Sequence, residues 1–192
     1  MPQTTFAGKE RILAAARGLF AARGFDSVTI RDIGEAAGLT NPALYRHFAD
    51  KEALGVELYR RSYDALLRAV EAAVTDGAEP LDRIEACACA MVELFEAEPD
   101  LVLYIDEHQV RFWPRIRDAF EGRNLSQQIS RWVADARRSG ALSRAPANAL
   151  QVSLVMGTLS HWFAMRAAGL VEAAPPERVA GFVLHALTGA DR

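Results

Sequence analysis

The chain has 192 residues, 51% hydrophobic and 24% charged, which suits one or two globular domains with a sizeable core. Its net charge of −3 argues against a general nucleic-acid binder. No apolar run reaches the roughly 18 residues of a membrane span. The opening stretch "MPQTTFAGKERIL" lacks the apolar core of a signal peptide, so a cytoplasmic protein is expected.

Almost every segment reads as helix, with no sustained period-two alternation. In "FAGKERILAAARGLFAARGF", Ile12, Ala15, Ala16, Leu19 and Phe20 share one stripe, and Gly24 is a natural stop. "VTIRDIGEAAGL" gives a short helix capped by Thr29, with Ile30, Ile33 and Ala37 inward and Gly38 ending it. A second short helix is capped by Thr40, with Pro42 in its first turn, where a missing N–H costs little. A long helix follows Asp50 and runs to about Thr75, where "DGAEP" breaks it. The two cysteines, Cys87 and Cys89, point about 200° apart on a helix and read as small core residues. Further breaks at 96–100, 112–115, 137–146 and 169–177 bring the total to about nine helices. That at 112–115 rests on Pro114, and a proline can kink a helix rather than end it.

The charge is unevenly placed. Residues 1–51 carry seven basic and five acidic groups, net +2, and hold both lysines, Lys9 and Lys51. The rest of the chain nets −5.

Two short helices joined by "AGLT" have the dimensions of a helix-turn-helix, whose second helix enters the DNA major groove. Leu44 and Phe48 are four apart and point inward, which leaves Tyr45 and the Thr40–Asn41 end, with Ala43, facing out. With its hydroxyl used as a cap, Thr40 would touch a base through its methyl group. Asn41 could read adenine or bind phosphate, and Tyr45 offers a hydroxyl for phosphate and a ring for sugar or a thymine methyl. Arg31, on the outer face of the preceding helix, suits a phosphate. Lys51 adds charge at a helix start already poised for one.

The run "RILAAARGLFAARGFDSVTIRDIGEAAGLTNPALYRHFADKEAL" resembles the DNA-binding domain of TetR-family (tetracycline-repressor-like) transcriptional regulators. The matching features are "ILAAA…LF…GF", "TIRDI…AAGLT", "LYRHF" and "KEAL". The resemblance implies a recognition helix at 40–46 and backbone contacts from Tyr45, His47 and Lys51. Thr29 and Arg46 complete the expected DNA-binding set. Gly34 stands where the family usually has alanine, which keeps the helix crossing close. Asn41-Pro42 replaces the usual basic residue and glycine, which puts a backbone contact from residue 42 in doubt.

Beyond the head, no GxGxxG, GxSxG or HExxH occurs, and the histidines at 47, 108, 161 and 185 lie on four segments without ligand spacing. No catalytic residue, metal site or cofactor is expected. In "NALQVSLVMGTLSHWFAMRAAGL", Ser153, Gly157, Ser160 and Ala164 form a small-residue side that allows close helix approach. With Val179, Phe182, Val183 and Leu187 of "PERVAGFVLHALTG", they are expected to form a homodimer's four-helix interface. A two-fold operator requires two reading heads.

Aromatics and thioethers suit a cavity for a mainly apolar effector. Met91, Phe95, Phe112, Trp113 and Trp132 are candidates to line it, with Met156, Trp162 and Met165 from the 148–170 segment. Tyr104 and His108 are the candidate polar anchors, and Arg111 could pair with a carboxylate.

The sequence therefore predicts an all-α fold: a helix-turn-helix domain over 7–67 and an effector-binding and dimerisation domain over 68–192. The function expected is that of a DNA-binding repressor released by a small effector, acting as a homodimer on double-stranded operator DNA. Two rivals stand beside it. One is a regulator of the same fold controlled by a protein partner. The other is a helical binding or enzyme module that has lost DNA recognition.

Overall fold

The computed structural model describes residues 3–143 and 147–189, with side chains from residue 7 onward. Residues 144–146, at the end of the predicted 137–146 break, lie outside the described residues, as do 190–192 of the predicted second domain. Nine α-helices and no strands occur among the described residues. They are α1 (Gln3–Arg23), α2 (Ile30–Ala37), α3 (Asn41–Tyr45), α4 (Lys51–Ala73), α5 (Pro80–Ala97), α6 (Pro99–Ile116), α7 (Leu125–Ser139), α8 (Asn148–Ala167) and α9 (Pro176–Thr188). Among the described residues no helix is long and apolar enough to cross a membrane.

Local chemistry sets the short elements. Thr29 and Asp32 form a reciprocal capping box at the start of α2, and Gly38 ends it in the left-handed region at φ 63°. Asp50 caps α4 by accepting from the Ala53 N–H at 2.7 Å. Pro114 does not break its helix. α6 continues to Ile116 and only then tightens into a 3₁₀ turn at Arg117–Phe120. The proline costs one bond, to the carbonyl of Val110, whose residue is 91% exposed, so water can take the acceptor.

α4 spans both parts of the molecule, and the predicted boundary at residue 67 falls inside it. On one side it packs α1 of the head. Glu57 meets Lys9 at 2.8 Å and Arg61 at 2.9 Å, and Arg61 also reaches Glu10 at 2.7 Å. Burial acts to raise the Glu57 pKa, but hydrogen bonds from Arg60, Lys9 and Arg61 outweigh it and hold the carboxyl at about 2. On the other side α4 packs α5 and α6.

The joint between head and body is aromatic. Phe25, in the loop after α1, meets Phe112 edge-on at 5.4 Å and His108 at 5.6 Å, and Phe20 stacks on Tyr104 at 5.9 Å. Gly55 of α4 lies beneath. A Cβ there would fall 2.6 Å from Phe25 and 2.8 Å from Phe112. The Gly55 carbonyl accepts from the Tyr104 hydroxyl at 3.2 Å. The position therefore needs the absent side chain for space rather than for a special φ.

Gly55→Ala should accordingly destabilise the protein by about 1–3 kcal/mol through overpacking. Gly18→Ala, where a Cβ meets nothing within 4 Å, should stabilise it by up to about 1 kcal/mol. Denaturant melts of the two variants should diverge in sign. Equal effects would remove Gly55 from the joint.

Candidate DNA-reading head and inner cavity

Leu44 is fully buried and Phe48 nearly so, which fixes α3 on the head and leaves Tyr45 52% exposed. The Thr40 hydroxyl makes no capping bond, contrary to the expectation, and so is not confined to a methyl contact. Asn41 is exposed, with its Oδ1 3.2 Å from where a Gly34 Cβ would lie. An alanine at 34 would press on that side chain, which gives the unusual glycine a local reason. Ala43 is half-buried and Arg46 exposed. The half-buried His47 ring lies against α1, its Nε2 3.0 Å from the site of a Gly8 Cβ.

Three other predicted contacts are engaged within the chain. The Thr29 hydroxyl both donates to Asp32 at 2.7 Å and accepts from its N–H. Arg31 pairs with Glu35 at 3.1 Å, with both side chains largely exposed. Lys51 departs most from the expectation. Its ammonium donates to the carbonyls of Phe25 at 2.9 Å, Asp26 at 3.3 Å and Val28 at 2.9 Å. It also sits 4.6 Å over the Phe25 ring. An ammonium has three protons, and all three are taken. Lys51 thus ties the loop after α1 to the start of α4, with its three protons held inside the chain. Arg11 does similar work, donating to the carbonyls of Ala37 and Gly38 at the end of α2.

The expected polar anchors also belong to the joint. Tyr104, His108 and Phe112 face the head and pack on one another, with Tyr104 and His108 4.5 Å apart. Burial holds the His108 pKa below the ordinary imidazole value. Arg111 lies 4.4 Å over the Phe25 ring and pairs with Asp26 at 2.9 Å and with Glu52. It is committed to the head and faces no cavity.

A cavity of about 310 Å³ does lie inside the body, between α4, α5, α6, the start of α7 and α8. Of the predicted lining, Met91, Trp113 and Met156 reach it. Phe95 stands behind its wall, stacked on Phe163 at 4.8 Å, and Trp132 is buried elsewhere on α7. Trp162 and Met165 line a separate, open apolar groove on the outer face of α8 and α9, together with Ser153, Gly157, Val179 and Phe182. Ala164 is exposed on α8, whereas Ser160 turns inward, lines the cavity and donates to Asp106 at 2.7 Å. Val183 and Leu187 are buried within the chain, on the helix that packs α5, so they are core and not interface.

Sequence reasoning missed Tyr59 and Tyr63 of α4, and Asp106 and Gln109 of α6, on the cavity wall. The one available signal was the i,i+4 tyrosine pair in "YRRSY". Their rings stack 6.3 Å apart.

Residues 12–58 match the family model for bacterial regulatory proteins of the tetR family. The transcriptional repressor KstR2 of Mycobacterium tuberculosis is 37% identical over 124 residues, covering 64% of this chain and 61% of that protein. The match thus spans about three-fifths of the relative. A TetR-family regulator structure from Marinobacter aquaeolei shares the fold over 100% of both chains, at a TM-score of 0.81 and 21% identity. So does AibR, solved with isovaleryl coenzyme A and operator DNA, at a TM-score of 0.77 and 20% identity over 94% of this chain and 97% of that one.

Lys51→Ala should lower stability by about 1–3 kcal/mol, because three carbonyls lose a charged donor. The slope of log affinity for DNA against log salt should stay unchanged. A slope shallower by about one unit would instead make Lys51 a phosphate contact.

Proposed function

We propose that this chain, a member of the tetR family of bacterial regulatory proteins, is a DNA-binding transcriptional repressor that responds to a small effector and acts as a homodimer. Residues 7–67 are the reading head and residues 68–192 the effector and dimer part, with α4 common to both. The observation that carries this reading is the exposed Tyr45 on a helix locked by buried Leu44 and Phe48. Its ring and hydroxyl stand at the surface with the exposed Thr40 and Asn41, which gives the helix a face able to meet base edges and sugars. In the major groove Tyr45, Thr40, Asn41 and Ala43 would face bases and sugars, with Arg46 and a released Arg31 on phosphates.

The effector reading draws support from the inner cavity and from AibR, of like fold, whose structure holds both a ligand and operator DNA. Tyr59 makes the link to the head. It lines the cavity, and its ring lies 6.0 Å from Phe112 and 6.5 Å from Tyr104, which grip Phe25 and Phe20. A ligand that binds one arrangement of this wall better than the other shifts the angle of the head.

Dimerisation is assigned to the outer groove of α8 and α9. Gly157 has nothing within 4 Å of where a Cβ would stand, so the single chain gives no reason for a glycine there. Phe182 is 63% exposed beside it.

Two outcomes test this reading. Tyr45→Ala should abolish sequence-specific retardation of the protein's own promoter DNA in a gel shift while leaving the melting temperature within about 2 °C, as for a surface substitution. A large drop in melting temperature with affinity retained would place Tyr45 in the core. Gly157→Arg should yield a folded monomer by analytical ultracentrifugation, since a buried unpaired charge costs several kcal/mol at an interface but nothing on an open face. A dimer of unchanged affinity would move the interface elsewhere.

A further inference from the structure

The inner cavity has an unusual chemical balance. Its deep surface is apolar, from Leu66, Met91, Val102, Ile105, Met156 and Phe163. Tyr59 belongs to the same wall and carries a buried polar atom that the fold leaves without a partner. The Tyr59 hydroxyl is buried, on a residue of 0% exposure, and has no hydrogen-bond partner among the described residues. A buried hydroxyl without a partner is a standing cost that folded proteins rarely carry without a reason. Burial, with Tyr63 and Asp106 close by, raises its pKa, so the group keeps its proton and is a donor at any physiological pH. One turn along α4, the Tyr63 hydroxyl already accepts from the Leu125 N–H at 3.0 Å.

The charges on the wall matter as much. No lysine, arginine or histidine lines the cavity. Its one charged side chain is Asp106, an exposed residue that already accepts from Ser160 at 2.7 Å. The N-terminal end of α7, capped by Asn124, opens onto the same space. A carboxylate in the cavity would meet no cation and would face Asp106. An ammonium would find one carboxylate, that of the exposed Asp106, and none among the deep apolar residues. Among the deep apolar residues neither sign of charge is compensated, and an uncompensated buried charge is strongly disfavoured.

We infer that the part of the effector held in this cavity is uncharged, an apolar skeleton carrying one hydrogen-bond-accepting oxygen such as a ketone, ester or thioester carbonyl, and that the Tyr59 hydroxyl donates to that oxygen. This rests on reading the cavity as the effector site. Arg111, bound to Asp26 and Glu52, takes no part.

Three probes of one chain length separate the classes: decan-2-one, decanoate and decylammonium. A fourth, 2-methyldec-1-ene, replaces the carbonyl oxygen of the ketone by a methylene. Each is titrated into the intact protein while Trp113 fluorescence is followed, with thermal shift as a second readout. Decan-2-one should bind tightest of the first three. Tyr59→Phe keeps the ring and its stacking, so the fold should be retained by circular dichroism. It should weaken decan-2-one about tenfold, the worth of one hydrogen bond, and leave 2-methyldec-1-ene unchanged. Equal ketone affinity in wild type and Tyr59→Phe overturns the inference, as does tighter binding of either ion. Binding of none of the four removes the cavity as a ligand site and the inference with it. A Tyr59-dependent ketone that never releases operator DNA in a gel shift sinks the effector reading while leaving the ligand class standing.

Discussion

Of the described glycines, Gly55 is the most tightly enclosed: α4 has no side chain there, and the rings of Phe25 and Phe112 occupy the space a methyl group would need. Phe25 comes from the head and Phe112 from α6 of the body. Because both rest on the same point of α4, neither can shift without the other. Around this contact the chain spends several of its charged side chains. Lys51 holds the carbonyls of the Phe25 loop from below, and Arg111 covers the Phe25 ring and pairs with Asp26 and Glu52. The exposed ion pairs alone would contribute little. Their effect here is geometric, since each constrains the one loop that joins α1 to the helix-turn-helix.

That constraint gives the inner cavity its connection to the head. Tyr59 sits one turn beyond Gly55 on α4 and belongs both to the cavity wall and to the joint aromatics. Close-packed interiors move between discrete packings and do not deform smoothly. A ligand that changes how Tyr59 sits therefore changes how Phe112 and Tyr104 can sit, and through them Phe25 and Phe20. The path is short because one helix supplies the cavity wall, the glycine contact and the Lys51 clamp.

Much of this was legible in the sequence, and the division is physical. The short helices of the head are fixed by bonds three or four residues long: the Thr29–Asp32 capping box, the Gly38 stop, and the Leu44–Phe48 spacing that turns Tyr45 outward. Such signals are local, and they read correctly. Apart from the unused Thr40 cap and the helix that continues through Pro114, the departures come from partners far away in the chain. Lys51 at a helix start looks like a phosphate ligand until the carbonyls of Phe25 and Val28 capture it across more than twenty residues. Tyr104, His108 and Arg111 share a side of α6, as their spacing implied, but spacing cannot say whether that side meets a cavity or the head. On α8 the small-residue side was read as a single surface. Helical phase puts Ser160 toward α6 and the cavity, and leaves Ser153 and Gly157 on the outer face.

The same accounting explains how a chain of net charge −3 can serve as a DNA-binding protein. Of the seven basic residues in its first 51, Lys9 and Arg17 pair with acids of other helices, Arg11 and Lys51 donate to backbone carbonyls, and Arg31 holds the exposed Glu35. Only Arg23 and Arg46 have no ion pair or hydrogen bond among the described residues. The Arg31 pair is easily given up, being exposed and worth a few tenths of a kcal/mol, about the value of an i,i+4 pair. Each head then offers few cations to phosphate, and nonspecific attraction, which grows with that number, is weak. In the proposed dimer, affinity would come from neutral contacts of Tyr45, Thr40 and Asn41 with a matching sequence, and from the linkage of two heads, which turns the second binding event into an intramolecular one. A head so poor in free charge is of little use alone. Its chemistry supports the proposal that the working unit has two copies, as does the bare Gly157 face of α8.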